Sequence, residues 1–326
     1  MKRLMIVDAH NQFLRSYIVD PSLSTNGFPI GGVKGFLKIL NKLTREIRPD
    51  KIVVVWDGEG GSKKRKIKNK NYKAGRTPPR LNRGVNNLTE QEEAENRQWQ
   101  QLKSFEYLNS TPIIQFREPY VEADDVIAYI SKHQKYTEWQ KVIVSSDKDF
   151  IQVLDRNTVL YRPTQSQILN TKRVVKEFGI HPNNFVLARA MAGDKSDNLA
   201  GVSGVGIKTA SKRFPFLREE QEYYLTDVYA HCEENQDSNL KVYRNILESV
   251  DAVNLNYDIM QLSSPSLSAQ AKDRVISILN NWEPEFNKTN FRTMLIKDGF
   301  GEVHLENLFE VFNKICSNMS RRLEIF

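Results

Sequence analysis

Cysteine is almost absent from this sequence: Cys232 and Cys316 are the only two in 326 residues, far apart and outside any C-x-x-C pair. That excludes a disulfide-stapled secreted fold and a thiolate zinc site, and the expected setting is a reducing cytoplasm. Long hydrophobic runs are missing as well. The run Leu4–Val7 behind Met1-Lys2-Arg3 ends at Asp8, too short for a signal peptide, and no stretch approaches the ~20 apolar residues of a membrane helix. No membrane role is expected. Histidine is sparse, and His10, His133, His181, His231 and His304 show no ligand spacing, so each reads as a surface or core residue. Acidic residues are in slight deficit, 40 Asp+Glu against 47 Lys+Arg. The resulting +7 suits an anionic partner without identifying one.

What is present suffices for a proper core. With 40% hydrophobic and 27% charged residues, the length supports two domains or one large domain with a satellite. Short runs rich in β-branched residues, Leu4–Val7, Ile52–Trp56, Ile113–Phe116, Val142–Val144 and Val159–Tyr161, read as buried strands. Between them lie amphipathic segments of helical length: Val33–Ile47, Glu90–Leu108 behind a Thr89-x-x-Glu92 capping box, and Ala123–Tyr136. This alternation predicts an α/β fold, a mostly parallel central sheet with helices on both faces. After about residue 170 the strand signal fades into helices broken by Gly and Pro. The expected division is 1–180 as an α/β domain and 181–326 as a helical one.

In such a sheet, function collects at the carboxyl ends of the strands. Asp8 follows the first run, Asp57 the second, and Asp147 with Asp149 the fourth. Glu122, Asp124 and Asp125 open a helix after the third, and Asp194 with Asp197 begins the second half. Any one of these alone reads as a cap on free backbone N–H groups. Nine carboxylates converging on one sheet edge are different, because like charges about 4 Å apart repel by roughly 1 kcal/mol in water and roughly 4 at an intermediate dielectric. Such a cluster needs cations, and all-oxygen ligation favours Mg²⁺ or Mn²⁺ over zinc. Two hard cations in a carboxylate pocket are a known arrangement for phosphodiester hydrolysis.

Two further segments suit a nucleic-acid backbone. From Gly60 to Arg83 there are ten basic residues and no acidic ones: Lys63, Lys64, Arg65, Lys66, Lys68, Lys70, Lys73, Arg76, Arg80 and Arg83. In the free protein this composition reads as a flexible, solvated loop, and it begins three residues after Asp57. Tyr72, Lys73 and Arg76 offer one aromatic stacker and two cations. The second segment, Gly201-Val-Ser-Gly204-Val-Gly206-Ile-Lys208-Thr209-Ala210, is spaced one residue too long for a P-loop and lacks a preceding strand. A glycine hairpin between helices with exposed N–H groups suits docking on phosphates, although the same pattern also makes a plain helix–helix turn.

Together, Asp8, Val-Trp-Asp57-Gly, Glu122-Ala-Asp124-Asp125, Ser-Ser-Asp147-Lys-Asp149, Gly-Asp194-Lys-Ser-Asp197-Asn and the glycine hairpin resemble the 5′-nuclease superfamily. Within it they look most like bacterial and bacteriophage 5′→3′ exonucleases, including phage enzymes called ribonuclease H or flap endonuclease. The match runs from about residue 4 to 217, and Arg15 and Gly27–Gly32 also look like the family's early helix and loop.

The resemblance implies that Asp8, Asp57, Glu122 and Asp124 surround one Mg²⁺ or Mn²⁺ ion. Asp147, Asp149, Asp194 and Asp197 would surround a second, with Asp124 or Asp125 between the two. Lys73 and Arg76 match arch residues that contact the scissile phosphate, the arch covering about 60–108, and Arg189 falls where relatives carry a basic residue. Gly201–Ala210 matches a helix–three-turn–helix at about 186–217 that grips duplex phosphates, in some relatives with a monovalent cation such as K⁺. Lys63, Lys64, Arg65, Tyr72, Gly201, Gly204, Gly206, Lys208 and Thr209 are the expected DNA contacts. Gly75 departs from the family, which often carries Asn before the arch arginine.

The implied activity is a structure-specific 5′ nuclease acting on DNA flaps, nicks and gaps and on RNA primers paired to DNA, leaving 5′-phosphate ends in replication primer removal. The chain stops at Phe326 without room for a polymerase domain, so a free-standing monomer is expected, in the bacterial cytoplasm or that of an infected host. From about 218 no family motif is present, and the tail reads as helical packing, a duplex contact or a docking surface for a clamp or single-strand-binding protein. Two alternatives compete. One is an RNA-directed nuclease of related fold, which would not need the glycine hairpin. The other is a catalytically silent structure-specific DNA-binding protein, which would not need all nine acids.

Overall fold

A computed structural model describes residues 1–82, 84, 88–301 and 303–323, with side chains described as far as Asn318. The five β-branched runs form parallel strands: β1 (Arg3–Asp8), β2 (Lys51–Trp56), β3 (Ile114–Arg117), β4 (Gln140–Val144) and β5 (Thr158–Arg162). A sixth, β6 (Gln167–Leu169), was not evident from the sequence and folds back antiparallel on β5. It is three residues long and its middle residue, Ile168, is half exposed, so it carries little of the apolar pattern that betrays a strand.

The strand order is β3-β2-β1-β4-β5-β6. The chain therefore winds outward from β1 on one side, then crosses back and winds outward from β4 on the other. β1 and β4 lie side by side at this reversal, with Val7 opposite Val144, and the crevice beyond their carboxyl ends is where this topology places ligands.

Helices cover both faces. In chain order they are α1 (Ala9–Val19), α2 (Gly31–Ile47), α3 (Lys63–Lys68), α4 (Glu90–Leu108), α5 (Ala123–Ser131), α6 (Thr171–Phe178), α7 (Phe185–Ala192), α8 (Ile207–Arg213), α9 (Leu225–Glu234), α10 (Lys241–Leu247), α11 (Val250–Met260), α12 (Ala269–Asn281), α13 (Lys288–Lys297) and α14 (Glu306–Leu323). Strand side chains alternate, so Leu4, Ile6, Val53, Val55 and Ile143 join one apolar layer with α5, α7 and α12. Met5, Val7, Ile52, Val54 and Val142 join the other with α1, α2 and α14. Burial on both faces explains why the strands read as unbroken apolar runs.

Local signals set the helix ends. The Thr89 capping box forms as the sequence suggests, Glu92 N donating to Thr89 Oγ1 and Thr89 N to Glu92 Oε2. The helix expected over Ala123–Tyr136 instead ends at Ser131, because His133 Nδ1 accepts the Lys135 N–H (3.1 Å) and starts a separate short turn. The tail does more than extend the helical half. Phe291, Phe300, Phe309 and Phe312 complete the layer containing Phe36 and Leu40, while Leu308 N donates to Asn41 Oδ1 (2.8 Å) and Lys314 pairs with Asp50. Both apolar layers draw residues from either side of position 180.

Candidate functional site

Asp8 ends β1 and caps α1, with Asn11 N donating to its Oδ1 (3.1 Å). Its other oxygen accepts from Ser145 Oγ (2.8 Å) at the end of β4, and that same hydroxyl accepts from Asp147 N (3.1 Å). One buried serine thus ties the Asp8 carboxylate to the Asp147 backbone across the reversal point. Asp147 in turn accepts from Asp149 N (2.8 Å). From the end of β2, Asp57 accepts the Ala123 N–H (2.9 Å), drawing the first turn of α5 with Glu122 and Asp124 to the same edge. Asp194 and Asp197 lie in the turn after α7. Arg189, on the last turn of α7, spans two groups of acids, donating through Nε to Asp149 (2.8 Å) and through Nη2 to Asp194 (2.5 Å).

The titration behaviour of these acids shows how closely they meet. Burial, then the charges of Asp57 and Asp147, push Asp8 up to about 7. Burial, then Asp147 and Asp8, hold Asp124 well above the usual carboxylate range. Burial with Asp197 and Asp194 raises Asp147, and burial with Asp147 raises Asp149 to about 7. Asp194 moves the other way, because hydrogen bonds from Ser196 and Arg189 outweigh its desolvation. Carboxylates raised by one another share a cavity that is short of positive charge.

Basic side chains supply part of that charge. Glu122, 3% exposed, receives Arg65 (2.8 Å), Tyr72 (3.1 Å) and Lys73 (2.9 Å) on its Oε2, while its Oε1 is buried without a hydrogen-bond partner. Desolvation opposes the charge on Lys73, but Glu122 and Asp124 overcome it and raise its pKa. Arg76 donates to Asp197 and to the Ser196 carbonyl, and Lys73 N donates to Asp197 O (2.9 Å), so the 71–76 turn is latched onto the 196–198 turn. Lys73 adopts a left-handed φ of 56° there, next but one to Gly75 at 71°. Among the described residues, no three acidic, histidine or cysteine side chains already converge on one ion-sized point. The chemistry nevertheless fits hard divalent cations: an all-oxygen donor set, mutually raised carboxylates and an orphaned Glu122 oxygen.

Three residues sit differently from their expected roles. Tyr72 is 3% exposed and packs with Val186, Leu199, Ile259 and Met260, so it presents no face for a base to stack on. Arg65 is likewise buried, pairing with Glu122 and Asp125 and donating to the Ile259 carbonyl. Asp125 shares the Arg65 guanidinium with Glu122 and has its other oxygen taken by Ser266 N (2.8 Å), so both of its oxygens already have protein partners. Each departs from the expected role because partners distant along the chain occupy the side chain: Ile259 and Met260 of α11 for Arg65 and Tyr72, and Ser266 for Asp125.

Lys63 and Lys64 are exposed, Lys63 over the Tyr120 ring and Lys64 donating to Ser266 O. Lys208 is exposed on the first turn of α8, beside half-buried Thr209. In the hairpin, Gly204 takes φ 78° and, like Gly206, has open space around it, whereas a Cβ on Gly201 would lie 2.0 Å from the Ala192 carbonyl. Arg83 lies outside the described residues. Sequence reasoning passed over Ser145, and it passed over His10, whose Nδ1 meets Gln101 Nε2 (3.2 Å) and whose surroundings include the charges of Asp57, Lys73 and Arg76. The only signal for either was adjacency to an acid that ends a strand.

The family model described as 5′-3′ exonuclease, N-terminal resolvase-like domain, matches residues 3–179. The chain belongs to the 5′-3′ exonuclease family. A 5′-3′ exonuclease of Aquifex aeolicus is 34% identical over 215 residues, covering 64% of this chain and 68% of that one. A DNA polymerase I of Caldicellulosiruptor bescii is 30% identical over 257 residues, 77% of this chain; the match spans only 27% of that much longer relative. Among solved structures, the T5 D15 protein co-crystallized with metal ions has a TM-score of 0.63 at 19% identity, over 95% of this chain and 99% of that one. Human GEN1 in complex with Holliday junction DNA has a TM-score of 0.56 at 12% identity, over 94% and 71%. The two solved structures share the overall fold, a mostly parallel sheet with a helical C-terminal region.

Proposed function

We propose that the protein is a divalent-metal-dependent, structure-specific 5′ nuclease. It would hydrolyse DNA and RNA-primer phosphodiesters where single and double strands meet. The observation that carries this reading is the cavity in which burial and neighbouring acids raise the pKa of Asp8, Asp124, Asp147 and Asp149 together. Asp8, Asp57, Glu122 and Asp124 would hold one ion, and Asp147, Asp149, Asp194 and Asp197 the other. Divalent ions bound there supply an activated water and charge stabilisation at the departing 3′ oxygen.

The chain's own groups do the rest. Ser145 fixes the direction of the Asp8 carboxylate and pins the Asp147 backbone beside it. Lys73 and Arg76 sit on acids that cations would neutralise, so they are poised to turn toward a phosphate and balance the charge that builds on it. Lys63, Lys64, Lys208, Thr209 and the open N–H groups around Gly204 and Gly206 would track the backbone without reading bases. Residues 1–180 would then carry most of the metal-binding acids, while the segment after 180 would add Asp194 and Asp197 and supply the hairpin grip on the duplex. The T5 D15 flap endonuclease, a structural match, has been crystallised with DNA and metal ions, which supports the reading. Product mapping on 5′-flap, nicked and gapped duplexes with Mg²⁺, Mn²⁺ and EDTA tests it. Metal-dependent release of 5′-phosphate products is expected, while tight binding without cleavage would instead establish a silent DNA-binding protein.

A further inference from the structure

The helical segment after residue 218 carries no family motif, yet one of its side chains reaches the base of the acidic turn. α7 stops at Ala192 because Gly193 takes a left-handed φ of 69°, and its last carbonyls need partners from outside the helix. Arg189 O accepts from Gly193 N (2.8 Å) and Met191 O from Val202 N (2.8 Å). Ala190 O is taken by the amide of Asn256, Nδ2 donating at 2.9 Å. The same amide donates its second hydrogen to Ala200 O at 2.8 Å. Ala190 and Ala200 bracket the segment that bears Asp194 and Asp197, so a single side chain joins its two ends. Inside that loop, Asp194 and Leu199 exchange backbone hydrogen bonds (2.9 and 2.8 Å).

The neck is tight. A Cβ on Gly193 would lie 2.3 Å from Gly201 N, and Asn256 is 4% exposed. Immediately beyond Ala200 the chain enters the glycine hairpin, whose tip is held separately by Asn245 Nδ2 on Ser203 O (3.0 Å). One turn along α11 from Asn256, the Ile259 carbonyl accepts from Arg65 Nε (3.0 Å), and the Arg65 guanidinium holds Glu122. α11 therefore touches the supports of both acidic groups.

We propose that Asn256 is a positioning residue that couples the acidic turn of Asp194 and Asp197 to the glycine hairpin, so that docking a duplex on the hairpin and ordering the metal-binding acids share one brace. This rests on the metal and duplex reading above. Asn256→Leu fills similar space but cannot donate, leaving the buried Ala190 carbonyl and the partly buried Ala200 carbonyl without this partner.

The test uses the full-length protein with two readouts that do not depend on turnover: Mn²⁺ binding by electron paramagnetic resonance without DNA, and anisotropy of a fluorescent nicked duplex in EDTA. Asn256→Leu is expected to weaken duplex binding about tenfold and Mn²⁺ binding several-fold, while circular dichroism shows a folded protein. Asn245→Ala, which touches only the hairpin tip, is expected to weaken the duplex and leave Mn²⁺ unchanged. Asn256→Ser keeps one donor, is gentler on folding, and should fall between wild type and Leu. Wild-type affinities in the Ser and Leu variants, or loss of duplex binding alone in Asn256→Leu, would overturn the coupling. Wild-type protein that binds neither Mn²⁺ nor duplex would overturn the functional reading as well.

Discussion

Replacing Asp8 by Asn should make the metal-free protein more stable. Asp8 is 6% exposed, and burial with the charges of Asp57 and Asp147 lifts its pKa from 3.8 to about 7. At pH 8 the folded state must carry that charge, at a cost of about 4 kcal/mol at roughly 1.4 kcal/mol per pKa unit. Asn keeps the shape and the cap on α1, since its oxygen can still accept from Asn11 N. It reverses the bond to Ser145, whose hydroxyl then lacks its acceptor, at a cost of about 1 kcal/mol. The net gain is about 3 kcal/mol, or roughly 4 °C in melting temperature for a chain of this length.

The pH dependence distinguishes this from a generic effect. A carboxyl with a raised folded-state pKa binds its proton more tightly when folded, so its ionisation costs stability as pH climbs from about 4 to about 7 and costs no more above that. The advantage of Asp8→Asn should thus be absent near pH 4, grow to about pH 7 and then level. Urea unfolding in EDTA across this range, with nuclease activity in parallel, is the assay. An Asp8→Asn protein less stable than wild type at pH 8, or a difference that does not vary with pH, would refute the shared-cavity argument. Loss of cleavage with a gain in stability is the expected signature of a charge kept for function.

Other outcomes follow from the same geometry. Asp147→Asn should lose most single-turnover cleavage while flap binding in EDTA stays near wild type, and wild-type rates would remove it from the site. Lys73→Ala should slow cleavage plainly, but by orders of magnitude less than metal removal, and an unchanged single-turnover rate counts against its phosphate role. Arg65→Met strips Glu122 and Asp125 of a buried partner and should cost about 3–5 kcal/mol in urea unfolding; a change under 1 kcal/mol would return Arg65 to the surface. Since Asp8 and Asp149 hold protons up to about 7, Mn²⁺ uptake at pH 6 should release protons and that release should shrink by pH 8. Calorimetry in buffers of different ionisation enthalpy reads this directly, and a pH-independent proton count would contradict it.

The strands and acids were legible because their signals are local: β-branched runs from β1 to β5, with Asp8, Asp57 and Asp147 soon after the first, second and fourth, and Thr89-x-x-Glu92 at the start of α4. What the sequence left hidden depends on partners distant along the chain. Arg65 and Tyr72 read as surface residues inside a basic stretch, but Ile259 and Met260 arrive from α11 to bury them. Asp125 looked like its neighbour Asp124, and only the Ser266 N–H and Arg65 show that its oxygens are already taken. Ser145 and Asn256 are ordinary polar residues whose importance lies in spanning two elements at once, which no periodicity records. The return of α14 onto α2 was hidden for the same reason, since an amphipathic helix does not announce which layer it will cover.

The central claim is that carboxylates from β1, β2, α5, the β4 end and the turn after α7 form one cation-binding cavity. Anomalous diffraction from crystals of the full chain soaked in Mn²⁺ tests it most directly. The account predicts two peaks about 4 Å apart, one beside Asp8 and Asp124 and one beside Asp149 and Asp194, with Lys73 swung away from Glu122. Peaks on separate surfaces, or Mn²⁺ elsewhere with these acids still bound only to Lys73, Arg76 and Arg189, would contradict it.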